Sequence, residues 1–174
     1  MTFKPMAENT KTDMISKITD DIIRRIYALG IFAYVGEDWG QLSEDQPSVS
    51  WPCALVDINE VDYSNASRRT QQAEAILTIT VADVRHYTVG AQTPGDITAR
   101  ENSIHGYIQA VHNVVQGQGT PDYSPPMRKS MRKSGQWAGM KAYDINYTLA
   151  FTDSQPAPVT TPVRPNLDLE IGIQ

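Results

Sequence analysis

Two runs of strict alternation constrain this chain more than anything else in it. From Gln71 to Val84, the residues Ala73, Ala75, Leu77, Ile79 and Val81 take every second position, and Glu74, Ile76, Thr78, Thr80 and Ala82 lie between them. From Met140 to Asp153, Tyr143, Ile145, Tyr147, Leu149 and Phe151 alternate with Ala142, Asp144, Asn146, Thr148 and Ala150. A period of two is that of a strand with one buried face, and the β-branched residues in the first run favour that state. The polar outer face of the second run suits an antiparallel strand wetted on one side. Strands of this kind need an apolar layer against one face.

Two helices can supply that layer. Ile15, Ile18, Ile22, Ile26 and Leu29 are spaced three, four, four and three apart, which puts them on one helical stripe. Thr12 or Asp13 can cap its start, and Gly30 suits the left-handed position beyond its end. Asp20, Asp21, Arg24 and Arg25 lie off the stripe at ion-pairing separations. A second helix is expected from about Ile97 to Val115, with Ile104, Tyr107 or Ile108, Val111 and Val115 facing the core and Gly117 and Gly119 stopping it.

Shorter extended pieces fill the remainder. Ile31 to Val35 reads as a strand, Gly36 to Ser50 as an acidic loop around Trp39, and Trp51 to Val61 as a strand with Pro52 at its beginning. In that strand Cys53, Leu55 and Asp57 point one way, and Ala54, Val56 and Ile58 the other. Asp62 to Thr70 and Thr88 to Gly95 read as turn and loop. Met127 to Ser134 repeats Met-Arg-Lys-Ser; as a strand it puts Met127, Lys129, Met131 and Lys133 on one side, and as a helix it stacks Met127 over Met131. The predicted fold is α+β: a twisted, mainly antiparallel sheet with two helices on one face.

The 174 residues suit one domain at 13–154, preceded by a polar arm at 1–12 and followed by a proline-rich linker and extended segment at 155–174. That last segment ends in Leu167-Asp168-Leu169-Glu170-Ile171-Gly172-Ile173-Gln174, whose alternation is again a strand's. Leu167, Leu169, Ile171 and Ile173 are therefore expected to pair with a sheet edge, either a neighbouring subunit's or their own. No apolar run reaches the ~20 residues of a bilayer span, no signal-peptide core opens the chain, and one cysteine, Cys53, fits a reducing compartment. No membrane role and a cytoplasmically made protein are the expectation.

Charge is divided along the chain. The net charge is −5, yet 11 acids and 4 bases fall between Glu8 and Asp62, while Tyr123 to Tyr143 holds no acid and five bases. The candidate basic surface is Arg128, Lys129, Arg132 and Lys133. Such a split suits head-to-tail packing of identical subunits, and it equally suits two solvated faces. The basic repeat could meet DNA phosphates, but it has no interleaved aromatic residues for base stacking.

Catalytic chemistry finds no pattern here. His105 and His112 are seven apart, where zinc sites on helices use three or four, and no nucleophile elbow, P-loop or dinucleotide fingerprint occurs. The adjacent acids Asp20-Asp21, Glu37-Asp38 and Glu44-Asp45 do not face one another, as paired carboxylates must. Cys53 reads as a small core residue. The expectation is a protein that is not an enzyme and takes no cofactor or metal. Trp39 is a candidate partner anchor, or a lid over its own domain.

The order of elements carries a resemblance over roughly Asp13 to Asp153. An amphipathic helix is followed by a long loop and the strand SWPCALVDINEV, then QQAEAILTITVADV, the helix ENSIHGYIQAVHNVV and the closing AYDINYTLAFTDS. This order resembles the tail terminator and tail completion proteins of long-tailed bacteriophages, a fold shared with some neck and minor tail proteins. The resemblance implies a virion structural protein of the tail or neck, assembled in the host bacterial cytoplasm. It also implies a homo-oligomeric ring, commonly of six subunits, that caps the tail tube and meets the head connector, with DNA only passing through. No motif residue transfers by position, because the family has no catalytic signature. Two readings stand beside it: a non-viral module that binds a partner strand or peptide by strand addition, and a small enzyme whose site would pair His105 or His112 with a carboxylate in a deep cleft.

Overall fold

The computed structural model of the chain describes residues 13–44, 46–68, 70–84, 94–134 and 139–154. Helix α1 (Met14–Tyr27) comes first, followed by β1 (Tyr34–Glu37), a 3-10 turn (Gln41–Ser43), β2 (Cys53–Ser67), β3 (Thr70–Val84), α2 (Pro94–Val115), β4 (Met127–Lys133) and β5 (Met140–Ser154). The strands form one sheet in the order β1-β2-β3-β5-β4. Among the described strands only β1 and β2 pair in parallel. The architecture is the α+β sheet with helices on one face that the alternation predicts.

One face of the sheet and both helices share a core. Ile18, Ile22 and Ile26 of α1 and Ile104, Ile108, Val111 and Val115 of α2 pack on Ala54, Val56, Leu77, Ile79, Val81, Ile145 and Tyr147, all buried. Each such Val, Leu or Ile side chain contributes about 1.5–3 kcal/mol relative to exposure. The predicted helical stripe is realised, with Ile15 and Leu29 partly buried at its ends. Asp13 occupies the N-cap of α1, but its side chain makes no capping hydrogen bond. Gly30 has φ +64°, as the left-handed position requires.

Several boundaries differ from the sequence reading. The first strand is Tyr34–Glu37 instead of Ile31 to Val35, because its register is set by parallel pairing with Cys53–Val56. Ile31 is left exposed. Strand β2 continues through the predicted turn to Ser67, giving three strands of 15 residues side by side, roughly 50 Å long at ~3.3 Å per residue. Residues 62–67 are exposed, so they carry no apolar alternation that could reveal a strand. Bulges at Asn59 and Ala66 interrupt the β2 register; the first returns Val61 to the core face after two successive outward residues.

Among the described residues the outer face is covered at one end. There Cys53, Ala82, Met140 and Ala142 are buried beneath Leu42, Val49 and Trp51 from the segment before β2. The paired directions read for Cys53 and Ala54 are thus both buried, in two different clusters. Burial, with the charges of Asp38 and Asp83, pushes the Cys53 thiol up to about 12, so it is an inert packing group. Among the described residues no helix is long and apolar enough to cross a membrane. The arm at 1–12 and the segment 155–174 lie outside the described residues.

Candidate functional site: the bare face and edges of the sheet

Beyond the small second cluster, the outer face is polar and laced together. Asn59 Nδ2 donates to Thr78 Oγ1 at 2.7 Å, Thr78 Oγ1 donates to Asn146 Oδ1 at 2.9 Å, and Asn146 Nδ2 donates to Ser130 Oγ at 3.0 Å. One chain of hydrogen bonds thereby crosses β2, β3, β5 and β4. A second network centres on Asp144, whose Oδ1 accepts from Thr80 Oγ1 at 3.0 Å and Ser134 Oγ at 2.6 Å, while Arg132 Nε donates to Oδ2 at 3.4 Å. Connected bonds of this kind polarise and stiffen one another. Asn59, Thr78, Thr80, Arg132, Asp144 and Asn146, with Asp38, Asp57 and Glu60, line an open groove of about 360 Å³. Among the described residues no buried side-chain nitrogen or oxygen lacks a hydrogen-bond partner. The surface is built to be rigid and wet.

The two edges of the sheet are opposite in charge. Strand β4 is exposed at every residue and contains Arg128, Lys129, Arg132 and Lys133 with no acid. At the other side, β1 and β2 contain Glu37, Asp57, Glu60 and Asp62 with no base. Strand β1 pairs only with Cys53–Val56, so from Asp57 to Ser67 the outer edge of β2 has no strand against it among the described residues. The sequence reading put one charge sign on each part of the chain; the fold carries the two parts to the two ends of one sheet.

The basic strand departs from its expected alternation. Arg128 pairs with Tyr147 and Ser130 with Asn146, so Lys129 is a bulge residue. Met127, opposite Thr148, therefore lies toward the polar face, whereas Met131, opposite Ile145, lies toward the helix face. The expectation that Met127, Lys129, Met131 and Lys133 share one side is corrected, and the helical alternative falls with it. Both methionines are about half exposed, 54% and 45%. Gln116 at the end of α2 ties down the start of the strand: its Oε1 accepts the Arg128 N–H at 2.8 Å.

A further cluster holds the connection that delivers β4. Tyr123 Oη donates to Asp21 Oδ2 at 2.6 Å, and Arg25 Nη2 reaches the same oxygen at 2.7 Å. Arg25 Nη1 donates to the Gln118 carbonyl at 2.5 Å, and its guanidinium lies 5.9 Å from the Tyr123 ring centre. Lys17 pairs with Asp122 at 3.1 Å. Burial and the bond to Asp21 push the Tyr123 hydroxyl well above its ordinary range. Sequence spacing anticipates Asp21 with Arg25; nothing local points to Tyr123, about a hundred residues away.

The remaining candidates divide. Trp39 is 80% exposed, so it does not cover its own domain; Trp51 does that work on the second cluster instead. The turn presenting Trp39 is held by Trp39 N–H to Gln41 Oε1 at 2.6 Å and Gly40 N–H to Asp38 Oδ1 at 2.8 Å. His112 stacks on Tyr147 with Nδ1 at 3.3 Å from the hydroxyl, and His105 packs against Tyr143. Burial, with the Arg128 charge, lowers the His112 pKa. Among the described residues no group of three metal-ligating side chains occurs. Leu167, Leu169, Ile171 and Ile173 lie outside the described residues.

No protein-family model and no curated protein matches the chain. Among solved structures it is similar to a chain described as "Virion of native gene transfer agent (GTA) particle", at 13% identity over 77% of this chain and 91% of that one, with a TM-score of 0.47.

Proposed function

We propose that this chain is a virion structural protein of the tail-terminator type, a subunit of a ring that caps the tail tube and joins it to the head connector. Its mechanism is complementarity of surfaces, with no bond made or broken. DNA passes through the ring without being read. The observation that carries the reading is a sheet that its described residues leave largely bare on one face and unlike in charge at its two edges, built on the element order that resembles the tail terminators. A subunit of a closed ring needs two different surfaces that fit each other, and a single sheet with an acidic and a basic end offers them.

Loss of the gene tests the proposal. In the strain that encodes it, particles lacking this chain should be tails of uncontrolled length without heads, and the chain should be found by mass spectrometry in purified complete particles. Normal headed particles made without it, or its absence from complete particles, would refute the reading. The exposed β4 edge also favours a second reading, a module that captures a foreign strand; that reading gains if the chain co-purifies with an extended peptide and never with particles.

A further inference from the structure

We infer that the subunit contact is an edge-to-edge extension of the sheet, in which β4 of one copy lies along the Asp57–Tyr63 edge of β2, which no described strand covers, in the next. The inference rests on the oligomeric part of the proposed function and specifies the surface that part leaves open.

Charge decides between the possible pairings. Two β4 edges brought together would oppose Arg128, Lys129, Arg132 and Lys133 with themselves, and two β2 edges would oppose Asp57, Glu60 and Asp62 with themselves. Like charges directly opposite across strands are destabilising, and opposite charges stabilise. Only β4 against β2 is attractive, and that contact is heterologous, so it propagates from copy to copy until it closes. Lysines and a bulge on an edge ordinarily block strand addition. Here they block it selectively, because the one acidic edge available on a copy of this chain accepts what a neutral or basic edge would reject.

Part of this match lies on the polar face. Asp57, Glu60 and Asp62 pair across β2–β3 with Thr78, Ile76 and Glu74, which places them on the polar face. On β4 the residue opposite Asp144 of the same face is Arg132, 78% exposed in its side chain even while it reaches Asp144. On the helix face β4 presents Arg128, Met131 and Lys133, opposite Tyr147, Ile145 and Tyr143, and β2 presents Ile58, Val61 and the half-exposed Tyr63, whose register partner is the core residue Ala73. A continuous sheet would set the acids beside Arg132 on its polar side and Met131 beside apolar residues on its helix side, with Arg128 and Lys133 along the same seam.

The test uses full-length protein and sedimentation velocity. One variant carries Arg128→Glu, Lys129→Glu and Lys133→Glu, sparing Arg132 and its bond to Asp144. A second carries Asp57→Lys, Glu60→Lys and Asp62→Lys. Far-UV circular dichroism and thermal melts check that both remain folded. The wild-type chain should self-associate, less so as salt is raised. Each variant alone should associate about a hundredfold or more weakly, since its two edges then carry the same sign of charge. Their equimolar mixture should assemble again, because each basic edge meets an acidic one.

Wild-type protein that stays monomeric at low salt overturns the inference, and so do variants that assemble alone or a mixture that does not recover. A third full-length variant changes Leu167, Leu169, Ile171 and Ile173 to serine. If that change abolishes assembly while the charge variants assemble normally, the edge is occupied by the C-terminal segment and the inference falls. The chain's absence from particles would refute the proposed function and leave a restored mixture standing. Its presence in particles, with unaffected charge variants, would do the reverse.

Discussion

Replacing Tyr123 with phenylalanine removes one hydroxyl and nothing else, at a point where three segments meet. In the folded chain that hydroxyl donates to Asp21 Oδ2 at 2.6 Å, and Tyr123 is 5% exposed. A hydrogen bond to a charged group contributes about 1.5–3 kcal/mol. Asp21 keeps its ion pair with Arg25 at 2.7 Å and is about a third exposed, so water and the guanidinium can re-satisfy the abandoned oxygen. The cost of Tyr123→Phe should therefore sit at the low end, about 1.5 kcal/mol. For a chain of this size that is a fall in Tm of roughly 3–6 °C.

The converse change is worse for a different reason. Asp21→Ala strands the buried Tyr123 hydroxyl and releases Arg25, and the unsatisfied group alone costs about 1–3 kcal/mol. The two side chains act as a unit, so the double variant should cost less than the two singles added, by about 1–2 kcal/mol. Urea unfolding followed by both far-UV circular dichroism and tryptophan fluorescence gives the four free energies, with coincident transitions and an unchanged m-value as the check on two-state behaviour. A single cost under about 0.5 kcal/mol, or singles that add within that error, would refute the reasoning that this cluster anchors residues 117–126. Because those residues lead into β4, the same variants should also weaken self-association under the edge contact proposed above.

Four other outcomes are expected. Leu77→Ala, at the centre of the core, should cost about 2–5 kcal/mol in denaturant unfolding, from lost burial plus the cavity it leaves. Burial pushes Tyr147 up to about 12 from an ordinary value near 10; the stability this contributes is complete below pH 10 and is lost as pH rises through 12, so Tyr147→Phe should flatten the alkaline limb of a stability–pH profile. Burial and the Arg128 charge hold His112 below its ordinary 6.5; the unfolded chain then binds the proton more readily, so stability should fall as pH drops below 6.5, and His112→Gln should remove that slope in urea titrations at stepped pH. Trp39→Ala and deletion of residues 155–174 should each leave the melting temperature of the domain nearly unchanged, within the small range of surface changes, while weakening self-association measured by light scattering.

Much of the fold was legible because its signals are local. The stripe from Ile18 to Ile26 and the alternations of Leu77–Val81 and Tyr143–Phe151 report which side of each element is apolar, and in the structure those sides are the core. Less legible were places where no side chain is buried. The outer part of β2, residues 62–67, is exposed on both faces, so its composition matches a turn, and only pairing with β3 makes it a strand. The candidate surface was half legible: alternation put Thr78, Thr80, Asp144 and Asn146 on the wet face, but their bonds to Asn59, Ser130 and Ser134 depend on register across three strand pairs.

What the sequence determines by itself, then, is the character of each element and the separation of acidic from basic segments, because periodicity and composition need no knowledge of neighbours. Strand order is different in kind. That the acidic strands and the basic strand close opposite ends of one sheet, that a bulge at Lys129 turns Met127 and Met131 to different faces, and that Tyr123 reaches Asp21 are decided by contacts between residues far apart in the chain. Those contacts follow from the packing of two helical stripes on the three long strands, which only the assembled tertiary structure brings about.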